Sequence, residues 1–259
     1  MKLSARHTEI LALVMQFGEA TVDDLAERLG VSRETIRRDL TKLDAAGQIK
    51  KLHGGARVIE SSPGQDGEGS FAQRIGQNTE GKLRAALAAV ALIETDDSLF
   101  LDAGTTTLAL AKALVNARPA TIITNSLRNA EALSLNSRHR IFVIGGEYRA
   151  DAGENLGPLA IDQISRFHAR MAVLTVAAID VHGAMNFDLQ EAEVAKAMIS
   201  RADEVVIIAD NSKFGKRAVF DVAAMSDIST IITDAMPPKS VVDAMQENGV
   251  RLITASDEG

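Results

Sequence analysis

At 259 residues, 46% hydrophobic and 24% charged with a net charge of −7, the chain has the balance of an ordinary globular protein and the length for a small module plus a larger one. The absence of cysteine excludes disulfides and thiolate metal sites, and one Tyr with no Trp argues against an aromatic platform for single-stranded nucleic acid. No apolar run approaches the roughly 18 residues of a membrane span, and the first turns pattern as an amphipathic helix rather than a signal peptide, so a cytoplasmic chain without membrane contact is expected.

In chain order the first pattern is helical. Ile10, Leu11, Leu13, Val14 and Phe17 keep helical spacing from Arg6 onward, and Gly18 follows as a stop. Thr21 is placed to cap a second, short helix ending at Leu29, with Asp23 and Asp24 in its first turn and Val22, Leu25, Ala26 and Leu29 facing inward. Gly30 ends it. Ser32 caps a third helix running to about Ala46, in which Ile36, Leu40 and Leu43 form the buried stripe before Gly47 stops it. A strand over 48–52, the turn His53-Gly54-Gly55 and a returning strand over 56–59 read as a β wing, the glycines supplying the positive φ of a tight turn. Residues 60–70 are rich in Ser and Gly and read as a flexible linker. The expected division is a winged helix-turn-helix over 1–59, a linker over 60–70 and a larger domain over 71–259.

Two short helices joined at Gly30, the second opening Ser-Arg-Glu-Thr, fit a helix-turn-helix whose second helix enters the major groove of double-stranded DNA. With the stripe turned inward, Ser32, Arg33, Thr35, Arg37, Arg38 and Lys42 stay on exposed faces, while Lys51 and His53 sit on the wing. Arg bonds guanine bidentately, and hydroxyls and helix N-terminal amides hold phosphates. Charge by segment agrees: residues 1–58 carry ten Lys/Arg against eight Asp/Glu, the remainder 18 against 27, and from Arg28 to Arg57 the balance is eight against three. A small protein-interaction domain with a solvated basic face is the competing reading, weakened by positive charge on both helix and wing. One recognition helix reads too few base pairs alone, so a homodimer or homotetramer is expected.

From Glu80 onward, short β-branched or apolar segments at 98–101, 121–124, 140–144, 171–176, 204–209, 230–233 and 251–254 alternate with helical stretches at 81–93, 108–115, 127–134, 159–167, 189–201 and 239–248. This implies an α/β domain with a mostly parallel sheet, whose ligands bind beyond the carboxyl ends of the strands. Polar and glycine residues gather at that edge: Asp102, Gly104, Thr105, Thr106 and Thr107 after the first strand, Thr124 and Asn125 after the second, Gly145 and Gly146 after the third, then Asp180 and Lys213. Gly104–Thr107 leads into a helix, aiming free amides and three hydroxyls at an anion such as phosphate while Gly permits close approach; the same residues also fit a plain helix cap. Lys213 is either a phosphate partner or part of a solvated loop with Lys216 and Arg217. Asp102 and Asp180 either accept bonds from sugar hydroxyls or form turns. His182, Asp188, Glu191 and Glu193 do not make a metal site, since Glu191 and Glu193 cannot share a helical face and no His-x-x-x-His occurs. No catalytic residue, cofactor or metal is expected.

The run Val31-Ser32-Arg33-Glu34-Thr35-Ile36-Arg37-Arg38-Asp39-Leu40, followed by His53-Gly54-Gly55-Ala56, resembles the DeoR family of repressors. Asp102-Ala-Gly-Thr-Thr-Thr107, Thr124-Asn-Ser-Leu127, Gly145-Gly146 and Ala209-Asp-Asn-Ser-Lys-Phe-Gly-Lys216 resemble that family's sensor-domain motifs, so the similarity covers nearly the whole chain. The resemblance implies a sensor fold similar to ribose-5-phosphate isomerase and an oligomeric repressor released from operator DNA by a phosphorylated sugar or polyol. Asn186-Phe187-Asp188 and Thr233-Asp234-Ala235-Met236-Pro237-Pro238 look more like the family's glycerol-3-phosphate branch than its sugar-phosphate branches. Ala177-Ala178-Ile179-Asp180 departs from the pattern, since members commonly carry glycine before Ile-Asp, and the alanine is expected to narrow one pocket wall. Two other functions compete. One is a sugar-phosphate isomerase with an appended DNA module, for which Asp180 with Lys213 is the pair to nominate; the other is a DNA-binding scaffold with a degenerate pocket.

Overall fold

The computed structural model describes residues 6–7, 9–11, 13–14, 18–45, 49–57 and 69–255. The chain separates into two compact units, one of residues up to 64 with 72–77, the other of 65–71 with 78–259. The linker expected over 60–70 lies, except for Gly69 and Ser70, outside the described residues.

The first unit holds α1, helical at the described residues between 6 and 14, then β1 (Glu19–Thr21), α2 (Val22–Leu29), α3 (Arg33–Ala45), β2 (Lys50–Leu52) and β3 (Gly55–Arg57). Thr21 caps α2 by accepting the Asp24 amide, and Gly30, at φ 63°, closes its other end in the left-handed conformation that glycine tolerates. Ile36, Leu40 and Leu43 pack with Ile10, Val14, Val22, Leu25, Ile49 and Ala56 into one core, each large side chain stabilising the fold by about 1.5–3 kcal/mol. The ends of the expected wing at 48 and 58–59 lie outside the described residues, and the described strands gain a third: the sheet order is β1-β3-β2. Neither Gly54 nor Gly55 takes a positive φ, which corrects the reason for the glycine pair. A Cβ on Gly55 would stand 2.2 Å from the Ala20 carbonyl oxygen and 2.9 Å from the Thr21 Cα. Gly55 is there so that β1 can approach β3, where Thr21 pairs with it.

A short α4 (Phe71–Ile75) falls in the first unit from residue 72 onward. In the second unit the seven expected strands all form: β4 (Asp97–Leu101), β5 (Ala120–Thr124), β6 (Arg140–Val143), β9 (Ala169–Leu174), β12 (Ala202–Ile208), β14 (Thr230–Thr233) and β15 (Arg251–Thr254). They make one parallel sheet in the order β15-β14-β12-β9-β4-β5-β6. Helices α5 (Thr79–Val90), α6 (Thr105–Ala113), α7 (Leu127–Leu133), α8 (Pro158–Ile164), α9 (Leu189–Ile199) and α10 (Lys239–Glu247) cover it. Because successive strand residues face opposite ways, Leu99, Leu101, Ile122, Met171, Val173, Val206 and Ile208 pack with α5 and α6, while Phe100, Ile123, Ala172, Leu174, Val205 and Ile207 pack with α8, α9 and α10. From β4 the chain builds outward through β5 and β6, then returns to place β9 on the other side of β4. That reversal makes the carboxyl ends of β4 and β9 the topological switch point, the usual ligand position in such sheets.

Antiparallel pieces that the sequence pattern did not reveal decorate this frame. β7 (Glu147–Arg149) and β8 (Glu154–Leu156) form a hairpin, and β10 (Ala178–Ile179), β11 (Gly183–Asn186) and β13 (Phe220–Ala224) form a small sheet. At the opposite end of the main sheet the buried His139 ring accepts the Ala120 amide on Nδ1 at 3.2 Å and meets the Leu114 carbonyl through Nε2 at 2.8 Å. Among the described residues no helix is long and apolar enough to cross a membrane.

Candidate functional site

On α3 the buried stripe leaves Arg33, Glu34, Arg37, Arg38 and Lys42 exposed. The Ser32 hydroxyl caps the helix by accepting the Thr35 amide at 3.2 Å, and the two hydroxyls bond each other at 2.9 Å, with Thr35 half-buried. The three arginines differ in their surroundings. Arg33 pairs with Asp23 of α2 at 2.7 Å and Arg38 with Glu34 at 3.4 Å, whereas Arg37 has no ion pair among the described residues. Such exposed pairs are worth under about 1 kcal/mol and exchange readily for phosphate. Lys51 ties wing to helix, its ammonium donating to Thr41 Oγ1 at 2.7 Å and its amide to Asp44 Oδ1 at 2.8 Å. His53 stands exposed at the wing turn. Asp39, counted in the sequence against the basic footprint, is buried. Arg6 Nη2 donates to it at 3.2 Å and His7 Nε2 lies at 3.1 Å. Burial pushes its carboxyl up, but the hydrogen bonds from Arg6 and His7 outweigh this and hold it below the usual carboxylate range.

In the second unit β4 runs into Asp102, and α6 opens at Thr105 with Gly104 as its N-cap. Thr105, Thr106 and Thr107 are all buried, and the first amides of a helix lack intrahelical acceptors. Two details correct the sequence reading. The Thr107 hydroxyl donates to the Gly104 carbonyl at 3.1 Å, so two hydroxyls remain rather than three. The close approach that Gly104 permits is to protein, since an added Cβ would stand 2.1 Å from Thr175 Cγ2.

The neighbouring strand ends are laced to this one. Asn129 Nδ2 donates to the Asp102 carbonyl at 2.9 Å, Asn125 Nδ2 to the Asn155 carbonyl at 3.2 Å, and Asn155 Nδ2 to the Ile144 carbonyl at 2.8 Å. Thr124 and Asn125 are fully buried, and the Thr124 hydroxyl accepts the Ser126 amide. The Gly145 amide donates to Gln163 Oε1 at 2.9 Å, and a Cβ on Gly146 would come within 2.5 Å of the Leu156 carbonyl oxygen. Both glycines therefore serve the packing of β8 and α8. Asp180 lies in the β10–β11 turn rather than at the sheet edge, accepting the His182 amide at 2.8 Å and pairing with Arg217 at 3.1 Å. The turn-forming alternative describes it. Lys213 occupies a short 3-10 turn capped by Asp210, and the Gly215 amide donates to the Ile179 carbonyl at 2.9 Å, which brings the Lys213 and Asp180 loops together.

Burial pushes the Asp102 carboxyl up to about 8. The Glu191 charge adds to the rise, and the amides of Ala103 and Thr175 oppose it. With its value raised that far the group is mostly the neutral acid at neutral pH, while it still accepts from the amides of Ala103 and Thr175. Asp210 goes the other way: burial raises it, but bonds from Ser212 and Asn78 and the Lys213 charge hold it below the ordinary value.

The C-terminal sensor domain of DeoR matches residues 77–235, and the DeoR-like helix-turn-helix domain matches residues 6–62. The chain belongs to the DeoR family. This DeoR-family chain is 35% identical over 253 residues to the glycerol-3-phosphate regulon repressor of Escherichia coli (strain K12), covering 97% of this chain and 99% of that protein. It is 34% identical to the HTH-type transcriptional repressor CsqR of the same organism, over 98% and 96% of the two chains. With the HTH-type transcriptional repressor GlcR of Bacillus subtilis (strain 168) the identity is also 34%, over 98% and 97%. Among solved structures, a D-ribose-5-phosphate isomerase in complex with phospho-erythronic acid overlaps with a TM-score of 0.40 at 18% identity, over 52% of this chain and 54% of that one. So shallow an overlap has no bearing on chemistry.

Sequence reasoning missed the charged cluster beside Asp102 in this DeoR-type domain. Arg149, on the β7–β8 hairpin, reaches Glu191 Oε1 and Asp188 Oδ2 at 3.0 Å each and lies 3.7 Å from Glu154 Oε1. Asp188 also caps α9, accepting the amides of Gln190 and Glu191. Of the acids weighed as metal ligands, Asp188 and Glu191 are thus engaged by an arginine and a helix start, while Glu193 pairs with Lys196 at 3.1 Å. Nothing in their spacing pointed to Arg149, because the hairpin that delivers it is only three residues per strand.

Proposed function

We propose that the chain is a transcriptional repressor released from its operator when a small phosphorylated sugar or polyol binds beyond the carboxyl end of β4. The observation that carries this reading is the opening of α6 at the topological reversal between β4 and β9, where unbonded helix amides and the Thr105 and Thr106 side chains stand beside a neutral Asp102. Helix amides favour an anion, and an un-ionised acid does not repel one. Glycerol 3-phosphate is the first compound to try, since it names the regulon of the Escherichia coli relative. Thr105 and Thr106 would face the phosphate with Lys213 as a counter-charge, and a homodimer or homotetramer would set two winged modules on adjacent half-sites. The isomerase alternative nominated Asp180 with Lys213; with the Asp180 carboxylate held by Arg217 and the His182 amide, that pair has little to recommend it.

The test is a titration of the full chain, bound to duplexes it selects from a randomised pool, with glycerol 3-phosphate and a panel of sugar phosphates. The parent should release DNA with one of them, and Thr105→Ala or Lys213→Ala should bind DNA equally well yet hold it at that concentration. Release of both variants at the parental concentration would show the phosphate site to be wrong. Absence of any duplex binding by the parent would end the repressor reading itself.

A further inference from the structure

The segment from Arg28 to Arg57 carries eight positive charges and three acids, Glu34, Asp39 and Asp44. A surface meant to approach a polyanion does best without acids, so each needs a reason. Two have one inside the unit. Asp39 is buried between Arg6 and His7, and Asp44 accepts the Lys51 amide and so holds the wing to α3. Glu34 has no such duty. Its side chain is 62% exposed, and among the described residues its one ion pair is with Arg38, a weak pair 3.4 Å across one helical turn whose arginine is 76% exposed.

Position sharpens the contrast. Residues 36, 39, 40 and 43 face the core, and at 100° per residue Glu34 and Arg38 fall at the middle of the opposite face, the part that sinks deepest into a groove. Glu34 is also not part of the helix cap. Ser32 caps through Thr35, the residue that a reciprocal capping glutamate would have to replace.

We infer that Glu34 is a specificity-determining residue, reading the exocyclic amino group of a cytosine or adenine in the major groove while Arg38 beside it takes up a phosphate or the adjacent guanine. A carboxylate accepts from cytosine N4 or adenine N6, and against any other base edge its charge meets acceptors and repels. The residue therefore weakens non-specific attachment and spares one base pair, which is how an acid at the centre of a basic face raises discrimination. The inference rests on the DNA-binding reading of this module.

The experiment uses the full chain and its Glu34→Ala, Glu34→Gln and Glu34→Asp variants, each allowed to select from a randomised duplex pool and each titrated against sonicated genomic DNA. The alanine variant should lose about tenfold of its discrimination at a single cytosine or adenine position of each half-site, keep the rest of its motif, and bind the genomic DNA more tightly. Glu34→Asp keeps the negative charge near the helix start and withdraws the carboxylate by one methylene. If the base contact is real it loses the same position while keeping the parental melting temperature. A role confined to the helix dipole would give the reverse, a lower melting temperature in Glu34→Ala and Glu34→Gln with every base preference intact, and that result overturns the inference. An even loss across all positions also overturns it. Failure of the parent to select any motif would instead remove the DNA-binding reading beneath it.

Discussion

Arg149 and Asp188 lie 39 residues apart in the chain, yet the guanidinium and the carboxylate meet at 3.0 Å, and the same carboxylate caps α9. The β7–β8 hairpin is thereby fastened to the start of α9, next to Glu191 and the raised acid Asp102. On its other flank the hairpin is held by main-chain bonds, Leu127 to Gly153 and Asn155 to Asn125, and by Arg128, which donates to the Ala152 and Asp151 carbonyls.

Removing the arginine leaves Glu154, Asp188 and Glu191 facing one another without their shared cation. Arg149→Ala is expected to destabilise the second unit by about 2 kcal/mol, less than for a fully buried pair because the side chain is 32% exposed. Urea unfolding of parent and variant measures it, and a loss under about 0.5 kcal/mol would mean the carboxylates are solvated well enough to need no partner.

Asp102 makes a pH prediction with a definite sign. Its folded-state value of about 8 exceeds the ordinary value of 3.8, so between these limits the folded chain binds more protons than the unfolded one. The stability it contributes is complete below about pH 4 and is lost progressively as pH rises toward 8. Asp102→Asn should therefore unfold at higher urea than the parent at pH 8, with the advantage shrinking as the pH falls. Parallel pH profiles for the two proteins would show that Asp102 ionises freely.

Glycine at two positions answers different neighbours. Gly104→Ala places a methyl group on Thr175 Cγ2 and should cost about 1–3 kcal/mol, most of it restored in the double variant with Thr175→Ser, which has no such methyl. Gly55→Ala meets the Ala20 main chain instead, and truncating a side chain cannot relieve it. Lack of rescue at Gly104 in a double-mutant cycle would place the strain elsewhere.

Arg37, without an ion pair among the described residues, gives up no such pair on meeting DNA. Arg37→Ala should weaken binding to a selected duplex by about 1–3 kcal/mol, with relaxed preference at one position if it reads a guanine and a shallower salt dependence if it holds a phosphate. Unaltered affinity and salt slope in a filter-binding series would mean that another face of α3 enters the groove.

The strands of the main sheet were legible because each is a mostly apolar or β-branched run set between helical patterns, the inner ones such as Thr121-Ile122-Ile123-Thr124 being largely buried. β1, β7, β8, β10 and β11 were not, since two to four residues hold no period to detect. The motifs at the carboxyl edge were legible as polar punctuation after strands, but their reasons were not. Gly104 answers to Thr175, Gly55 to Ala20 and Asp39 to Arg6, and each partner becomes a neighbour only once the chain has folded. Asp102 was visible as a residue, while its protonation depends on burial and on Glu191, which no local reading supplies.

The imidazole of His139 is held at both ring nitrogens. Nδ1 accepts the Ala120 amide, and Nε2 lies 2.8 Å from the Leu114 carbonyl and 3.2 Å from Asn136 Nδ2. The ring is consequently a resident spectroscopic reporter at the end of the sheet remote from Asp102. Its nitrogen resonances record whether the start of β5 and the end of α6 keep their spacing. A metabolite that merely settles at the α6 opening would leave them unchanged, whereas one that pushes α6 along its axis would shift them, and so would separate local docking from a movement carried through the whole domain.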